Sequence, residues 1–181
     1  MKPFHELAAQ TNRFAGHVIA FDPGETTGWA WFHDYQLVDC GQFQTGNVYG
    51  AYTAFLSLFE SIHHQGFDLD TGNVRCVIED YRIYRHKLED HTFSSVYTIK
   101  VVGMAELVCV QNNIPYKLTL AQHAKKFSTD KKLEAWNYWQ TGQRHARDAI
   151  RHATFYIMCH GLDGKPISGS GSGMRNAQTK K

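Results

Sequence analysis

Residues 17–32, HVIAFDPGETTGWAWF, constrain the fold of this chain more than any other stretch. An apolar run stops at Asp22, the chain turns at once through a Pro-Gly pair, and a second apolar run begins at Trp29. Apolar runs separated by such a tight turn are typical of two neighbouring antiparallel strands. A buried strand that ends on a carboxylate places that charge at the rim of a sheet, where a metal ion, a phosphate or solvent can reach it.

The rest of the chain predicts an α/β fold in the order β-β-β-α-β-α-β-α-α. Strands are predicted at 18–21, 28–32, 36–44, 74–80 and 115–118, and helices at 50–64, 91–112, 121–139 with a break near 128, and 142–161. The tight connections of the first three strands indicate an antiparallel meander, and the later strands follow helices. We therefore expect a five-stranded mixed sheet, three antiparallel strands and then two parallel ones, flanked by helices.

Length and charge favour one domain with short extensions. The 181 residues divide into an arm at 1–14 with about one helical turn, a domain at 15–161 and a flexible, basic, Gly/Ser-rich tail at 162–181. The net charge is +2, and the residues from Gly161 onward contribute +3, which leaves −1 for the body. No membrane span, secretory leader or cysteine pair is evident, so we expect buried, reduced thiols and a cytoplasmic protein.

Two predicted strands end on acids. The run VIAFD stops at Asp22, and the run CVIED stops at Glu79 and Asp80. If these strands are adjacent and parallel, their carboxyl ends share one edge of the sheet, where ligand sites of such sheets commonly lie. Neighbouring carboxylates repel each other, and a hard divalent cation such as Mg²⁺ or Mn²⁺ removes that penalty.

The last predicted helix supplies a third acidic point. At helical spacing its alanines and isoleucines form one apolar stripe, and His145, Asp148 and His152 lie along one flank of that stripe. The arginines 144, 147 and 151 form a band on the outer, opposite flank. Taken singly, an acid after a strand is usually a turn residue, and a histidine beside an apolar stripe is usually a satisfied core residue. The joint pattern favours a site.

These motifs resemble those of the RuvC family of Holliday-junction resolvases, whose fold is ribonuclease-H-like. The first motif is DPGETTGWA at 22–30, the second is VIED at 77–80, and the third is HARDA at 145–149. The resemblance extends over about residues 17–160. It implies a structure-selective endonuclease that acts as a homodimer on branched DNA and gives paired symmetric nicks. The chain is similar to a divergent member, from a phage in our interpretation.

The resemblance also implies roles for individual residues. Asp22, Glu79 and Asp148 would bind two Mg²⁺ or Mn²⁺ ions, and no small-molecule cofactor is expected. His145 would be a fourth ligand or would orient the attacking water. Asp80 departs from the family, in which many members carry an amide at this position, and would be a spare ligand or a cap. Lys125 or Lys126 would offset charge on the phosphate, and we expect Lys125 to be the catalytic one.

Basic and aromatic residues suggest where DNA would bind. The segment after Glu79 contributes Tyr81, Arg82, Tyr84, Arg85 and Lys87, and further contacts would come from Lys126, Arg144 and Arg147. Cations contact phosphates, and aromatic rings stack on unpaired bases. The alternatives are a solvated loop whose tyrosines cover the edge of the core and helices whose charges face solvent.

Other functions stay open at this point. A terminase-type, flap-cleaving or fork-cleaving nuclease shares acid-terminated strands, and a non-cleaving junction-binding protein shares the DNA contacts. A phosphate loop of the actin and hexokinase type is disfavoured, because that fold needs two such halves. The nuclease hypothesis requires that the three acids meet in one pocket, rather than each pairing with an arginine of its own.

Overall fold

A computed structural model describes residues 1–11, 16–65, 73–81 and 93–159 of the chain. The strands are β1 His17–Asp22, β2 Thr26–His33, β3 Gln36–Gln44, β4 Val74–Glu79 and β5 Tyr116–Thr119. The helices are α1 Phe4–Thr11, α2 Val48–His64, α3 Phe93–Gln111, α4 Ala121–Phe127, α5 Asp130–Ala135 and α6 Arg144–Cys159.

The five strands form one mixed sheet in the order β3-β2-β1-β4-β5. The β1–β2 and β2–β3 pairs are antiparallel, and the β1–β4 and β4–β5 pairs are parallel. The predicted fold class is confirmed. Because β1 lies at the centre, its carboxyl end adjoins that of β4, and the acids of both strands share one edge of the sheet.

Helices cover both faces of the sheet. On one face Ile19 and Phe21 of β1 pack into an inner cluster with α2 and α3, and on the other Val18 and Ala20 pack into an outer cluster with α1 and α6. All six residues of β1 are buried, which explains its almost unbroken apolar sequence. Helix α6 contacts the sheet through small residues, among them Ala146, Ala149 and Ala153. This lets it lie close over β1 and β2.

The predicted helix at 121–139 differs from the observed structure. The break near Ser128 is present, and the hydroxyl of Ser128 lies 2.7 Å from that of Thr154. The second part ends at Ala135, because Asn137 adopts a left-handed conformation with φ of 61°. The amide nitrogen of Tyr138 then donates to the carbonyl of Leu133, a common way to close a helix.

The amino-terminal segment is more ordered than expected. The prediction was about one helical turn, but α1 has eight residues. Phe4 is 1% exposed and lies 5.1 Å from Trp136, centroid to centroid, so the helix is part of the outer cluster. The domain boundary at residue 15 stays a prediction, and the tail at 162–181 lies outside the described residues.

The four cysteines are free, as expected, but they are not all buried. Cys76 and Cys109 lie in the inner cluster, Cys40 is half-buried and Cys159 is exposed. In the part of the chain that the structure describes, no helix combines the length and the apolar character needed to span a bilayer.

Candidate active site

Asp22 and Glu79 lie side by side at the carboxyl-terminal edge of the sheet. The parallel pairing of β1 with β4 places Phe21 opposite Ile78, so the next residue of each strand is an acid. The side chain of Asp22 is 11% exposed and that of Glu79 is 18% exposed. The two carboxyl groups are close enough for each to affect the pKa of the other. The structure therefore brings these two acids into one pair.

The pKa values of this pair move in opposite directions. Burial raises the pKa of Asp22 to about 6; nearby negative charges add to this, and the hydrogen bond from His145 opposes it. Burial also acts to raise the pKa of Glu79, but the hydrogen bond and charge of His152 and the charge of Lys125 outweigh it, so this pKa is lowered. Two carboxylates in contact do not ionise independently. Asp22 is therefore the member that takes the shared proton.

His145 holds Asp22 from the first turn of α6. Its Nδ1 lies 2.7 Å from Oδ2 of Asp22, and its side chain is 38% exposed. The hydrogen bond to Asp22 raises the pKa of His145, and partial burial opposes this. The contact depends on Gly28, because a Cβ there would lie 2.0 Å from the main-chain carbonyl carbon of His145. Glycine lets the helix approach β2 this closely.

Asp148 lies on the next turn of α6 and forms ion pairs with two basic side chains. Its side chain is 6% exposed, and its Oδ2 is 3.2 Å from Nζ of Lys125. Its other oxygen accepts a hydrogen bond from Arg151, which also binds Asp130 and the main-chain oxygen of Ser128. Placing Arg151 in an outer band was wrong: it is 7% exposed, because its guanidinium reaches the loop between α4 and α5.

The three acids do not form a complete metal cluster. Among the residues that the structure describes, no three His, Cys, Asp or Glu side chains are placed to hold one ion. The Asp22–Glu79 pair does fit a divalent cation, because a cation would remove the repulsion that helps to raise the pKa of Asp22. Asp148 can join them only by giving up its cationic partners. The wider ligand set implied by the resemblance stays a prediction.

His152 is a site residue to which we assigned no role from the sequence. It is 0% exposed; its Nε2 lies 2.8 Å from Oε2 of Glu79, and its Nδ1 lies 2.6 Å from Oγ1 of Thr119. It follows His145 by two helical turns and so lies on the same side of α6. This shared flank was the signal in the sequence that could have revealed it.

A solvent-open cavity beside Asp148 has mainly basic walls. Its lining residues are Lys125, Asp130, Arg144, Arg147, Asp148 and Arg151. Arg147 stacks over Trp139 at 4.3 Å and donates to the main-chain oxygen of Gln140, whereas Arg144 is exposed. Two of the predicted DNA-binding arginines, Arg144 and Arg147, therefore line the same cavity as Asp148. Lys126 is exposed on α4 and is not among the lining residues.

The remaining predicted site residues follow β4. Tyr81 packs against the inner cluster, which is the alternative role considered for the tyrosines of this segment. Asp80 is partly exposed, and its amide nitrogen donates to the carbonyl of Thr119 at 2.8 Å. The predicted contacts Arg82, Tyr84, Arg85 and Lys87 lie outside the described residues.

The mixed sheet, with acids at the carboxyl ends of two central strands, defines a ribonuclease-H-like fold. The chain is similar to RuvC of Thermus thermophilus in complex with a Holliday junction substrate, with a TM-score of 0.59 and 14% identity over 81% of this chain and 97% of that one. The chain is also similar to a second Thermus thermophilus RuvC structure, with a TM-score of 0.55 and 13% identity over 78% of this chain and 93% of that one. No family model and no curated sequence matches this chain. The resemblance to RuvC is confirmed for the fold.

Proposed function

We propose that this protein is a metal-dependent endonuclease that cleaves branched DNA, four-way junctions in particular, by paired symmetric nicks. The observation that carries the proposal is the adjacency of Asp22 and Glu79 at the ends of the paired strands β1 and β4, with Lys125 at 3.2 Å from Asp148. The charge of Lys125 also lowers the pKa of Glu79. Such a pair of acids is costly to keep ionised without a cation. A mainly basic cavity suited to a phosphate lies beside Asp148, and Lys125 lines it. The fold shared with a RuvC that holds a Holliday junction substrate supports this substrate class.

Each residue near the pair has a chemical role in this proposal. Two bound Mg²⁺ or Mn²⁺ ions would supply Lewis acidity and a more acidic water. Asp22 and Glu79 would supply oxygens that hold the ions, and Asp148 would join them on release from Lys125 and Arg151. His145, which binds Asp22 through Nδ1 and is 38% exposed, is placed to take a proton from the attacking water at Nε2. Lys125, 45% exposed, offsets the charge of the phosphate.

The DNA contacts in this proposal are mainly to phosphates. Arg144 and Arg147 at the cavity bind the strand that enters the site, and Lys126 extends this surface along α4. Arg82, Tyr84, Arg85 and Lys87 would supply contacts near unpaired bases, and the basic tail would add affinity that falls with salt.

The exposed face of α3 supports a homodimer. Among the side chains that the structure describes on this helix, four apolar ones are solvent-exposed, namely Val96 at 46%, Ile99 at 38%, Leu107 at 40% and Val110 at 60%. Gly103 lies between them, and a Cβ there would meet nothing within 4 Å, so a second helix could approach closely. Two copies joined here would present two sites to two equivalent strands of a junction. Val110→Lys should then sediment as a monomer, and a wild-type monomer would contradict the dimer.

The setting in this proposal is the cytoplasm of a bacterial or phage-infected cell. The four free cysteines support it, because a reducing compartment keeps thiols unpaired.

The test is cleavage of a synthetic four-way junction in Mg²⁺ or Mn²⁺. We expect paired nicks from the wild type and no nicks from Asp22→Asn, which should still bind the junction. Asp39→Asn, an exposed aspartate on β3, is the matched control and should cleave normally. Equal cutting of linear duplex would contradict junction selectivity and favour a general or terminase-type nuclease.

A non-cleaving junction-binding protein is the second candidate. The observation that favours it is the pairing of Asp148 with Arg151, which withholds one acid from metal binding. In that case the wild type and Asp22→Asn would both bind the junction, and neither would cut it in Mn²⁺.

A further inference from the structure

His152 of helix α6 bonds to side chains at the carboxyl ends of two neighbouring strands, β4 and β5. Glu79 and Thr119 are partners in the β4–β5 ladder, and the imidazole of His152 reaches both of their side chains from α6. A carboxylate oxygen only accepts hydrogen bonds, so Nε2 carries the hydrogen that binds Glu79. In the neutral ring, the hydroxyl of Thr119 then donates to Nδ1.

We propose that His152 is a positioning residue that holds the carboxylate of Glu79 beside Asp22 and so builds the cation site; this inference rests on the proposed function. The carboxyl groups of Glu79 and Asp22 repel each other when both are charged, and the long side chain of Glu79 could rotate away. Its hydrogen bond to a ring clamped at both nitrogens prevents this. His152 is not itself a ligand, because both nitrogens are already bonded and the ring is 0% exposed.

Burial of this ring argues against a simple packing role. His152 lies in α6 between Arg151 and Ala153, within a fully buried stretch of the helix. An apolar side chain would fill that space without the desolvation of two ring nitrogens. Each of these nitrogens has a partner in the strand pair that ends at the site, and Thr119 serves to fix the ring that holds Glu79.

The test is the affinity of the DNA-free protein for Mn²⁺, measured by titration calorimetry. His152→Asn keeps a polar atom near Nδ1 but loses the donor to Glu79, and His152→Gln keeps a donor near Nε2. Partners that orient metal ligands typically contribute about 10–100-fold in metal affinity. We expect His152→Asn to weaken binding by about that factor and His152→Gln to restore most of it. His63→Asn, an exposed histidine on α2, is the control and should bind like the wild type.

Thr119→Val covers the case in which a His152 variant does not fold. It keeps the shape of Thr119 and removes the hydroxyl that fixes the ring, so Mn²⁺ binding should weaken by a smaller factor, about threefold to tenfold. Equal Mn²⁺ affinity in the wild type, in folded His152→Asn and in Thr119→Val would overturn the inference, and so would a wild type that binds no Mn²⁺. A wild type that binds Mn²⁺ but does not cut junctions would overturn the proposed function alone.

Discussion

The two strand-end acids are each held by a histidine of the same helix, but in different surroundings. His145 binds Asp22 at the open rim of the sheet, where 38% of the histidine side chain is exposed. His152 binds Glu79 from the interior, where its ring is 0% exposed, although 18% of the Glu79 side chain is exposed. The pKa of Asp22 is raised to about 6, whereas the pKa of Glu79 is lowered.

The difference shows how the same pairing of a carboxyl group with a histidine can serve two tasks. A carboxyl with a raised pKa beside one with a lowered pKa is the usual sign that two acids have separate roles. His145 binds Asp22 and is 38% exposed, so a proton can pass between this pair and solvent, which suits the chemical step. The carboxylate of Glu79 is held by His152, whose ring is 0% exposed and so is closed off from solvent, and this suits a fixed anchor for a cation.

Gly28→Ala should disrupt the contact between His145 and Asp22 most severely. The added Cβ would lie 2.0 Å from the main chain of His145, so the start of α6 must move away from β2 and from Asp22. We expect a loss of about 3 kcal/mol in the free energy of unfolding, measured by urea denaturation. Junction cleavage should fall by more than in His145→Ala, because Asp148 moves with the same helix.

Ser57→Ala is the stability control, since Ser57 is exposed on α2 and alanine favours the helix. Its free energy of unfolding should not fall. Normal stability and cleavage in Gly28→Ala would contradict the assigned contact between α6 and β2.

His145→Ala tests whether the rim histidine takes part in chemistry. We expect junction cleavage to slow by about a hundredfold, because proton transfer by a positioned side chain contributes on that scale. Single-turnover rates with saturating enzyme separate this loss from weaker DNA binding. His5→Ala, an exposed histidine on α1, should leave the rate unchanged. An unchanged rate in His145→Ala would make that residue structural.

Asp22→Asn should stabilise the metal-free protein at high pH. The pKa of Asp22 is 3.8 in the unfolded chain and about 6 in the folded protein, so the folded state binds this proton more tightly. Its ionised form therefore destabilises the fold above pH 6, and this effect disappears as the pH falls through 6 towards 4. The shift corresponds to about 3 kcal/mol, and loss of the hydrogen bond from His145 offsets about 1 kcal/mol.

We therefore expect Asp22→Asn to raise the free energy of unfolding by about 2 kcal/mol at pH 8 and not to raise it at pH 4. The measurement is urea denaturation in the presence of a metal chelator. Glu79→Gln is the comparison, because the lowered pKa of Glu79 predicts no such gain at pH 8. A stability difference between Asp22→Asn and the wild type that is the same at both pH values would contradict a raised pKa for Asp22.

Local patterns in the sequence predicted the fold and the acidic pair well. The strand-turn-strand around Asp22 and the apolar run ending at Glu79 predicted two central strands, because alternating burial and tight turns depend on neighbouring residues. Their meeting then followed from the shared carboxyl edge of parallel strands. The predicted bounds of β3, 36–44, agree with the structure.

The partners of the site residues could not be predicted in this way. Whether Arg151 points outward or reaches Asp148 depends on the loop between α4 and α5, which is distant in sequence. The role of His152 depends on how closely α6 packs against the β4–β5 pair. The docking of α1 rests on one aromatic residue, Phe4, and periodicity gives little warning of such a contact.

The most direct test of the central claim is a crystal structure with Mn²⁺, located by its anomalous scattering. We predict a peak between Asp22 and Glu79, within about 2.5 Å of a carboxylate oxygen of each. Asp148 should then have exchanged its contact with Lys125 for the ion. A crystal in millimolar Mn²⁺ that shows no peak there, with Asp148 still bound to Lys125 and Arg151, would contradict the proposed cation site.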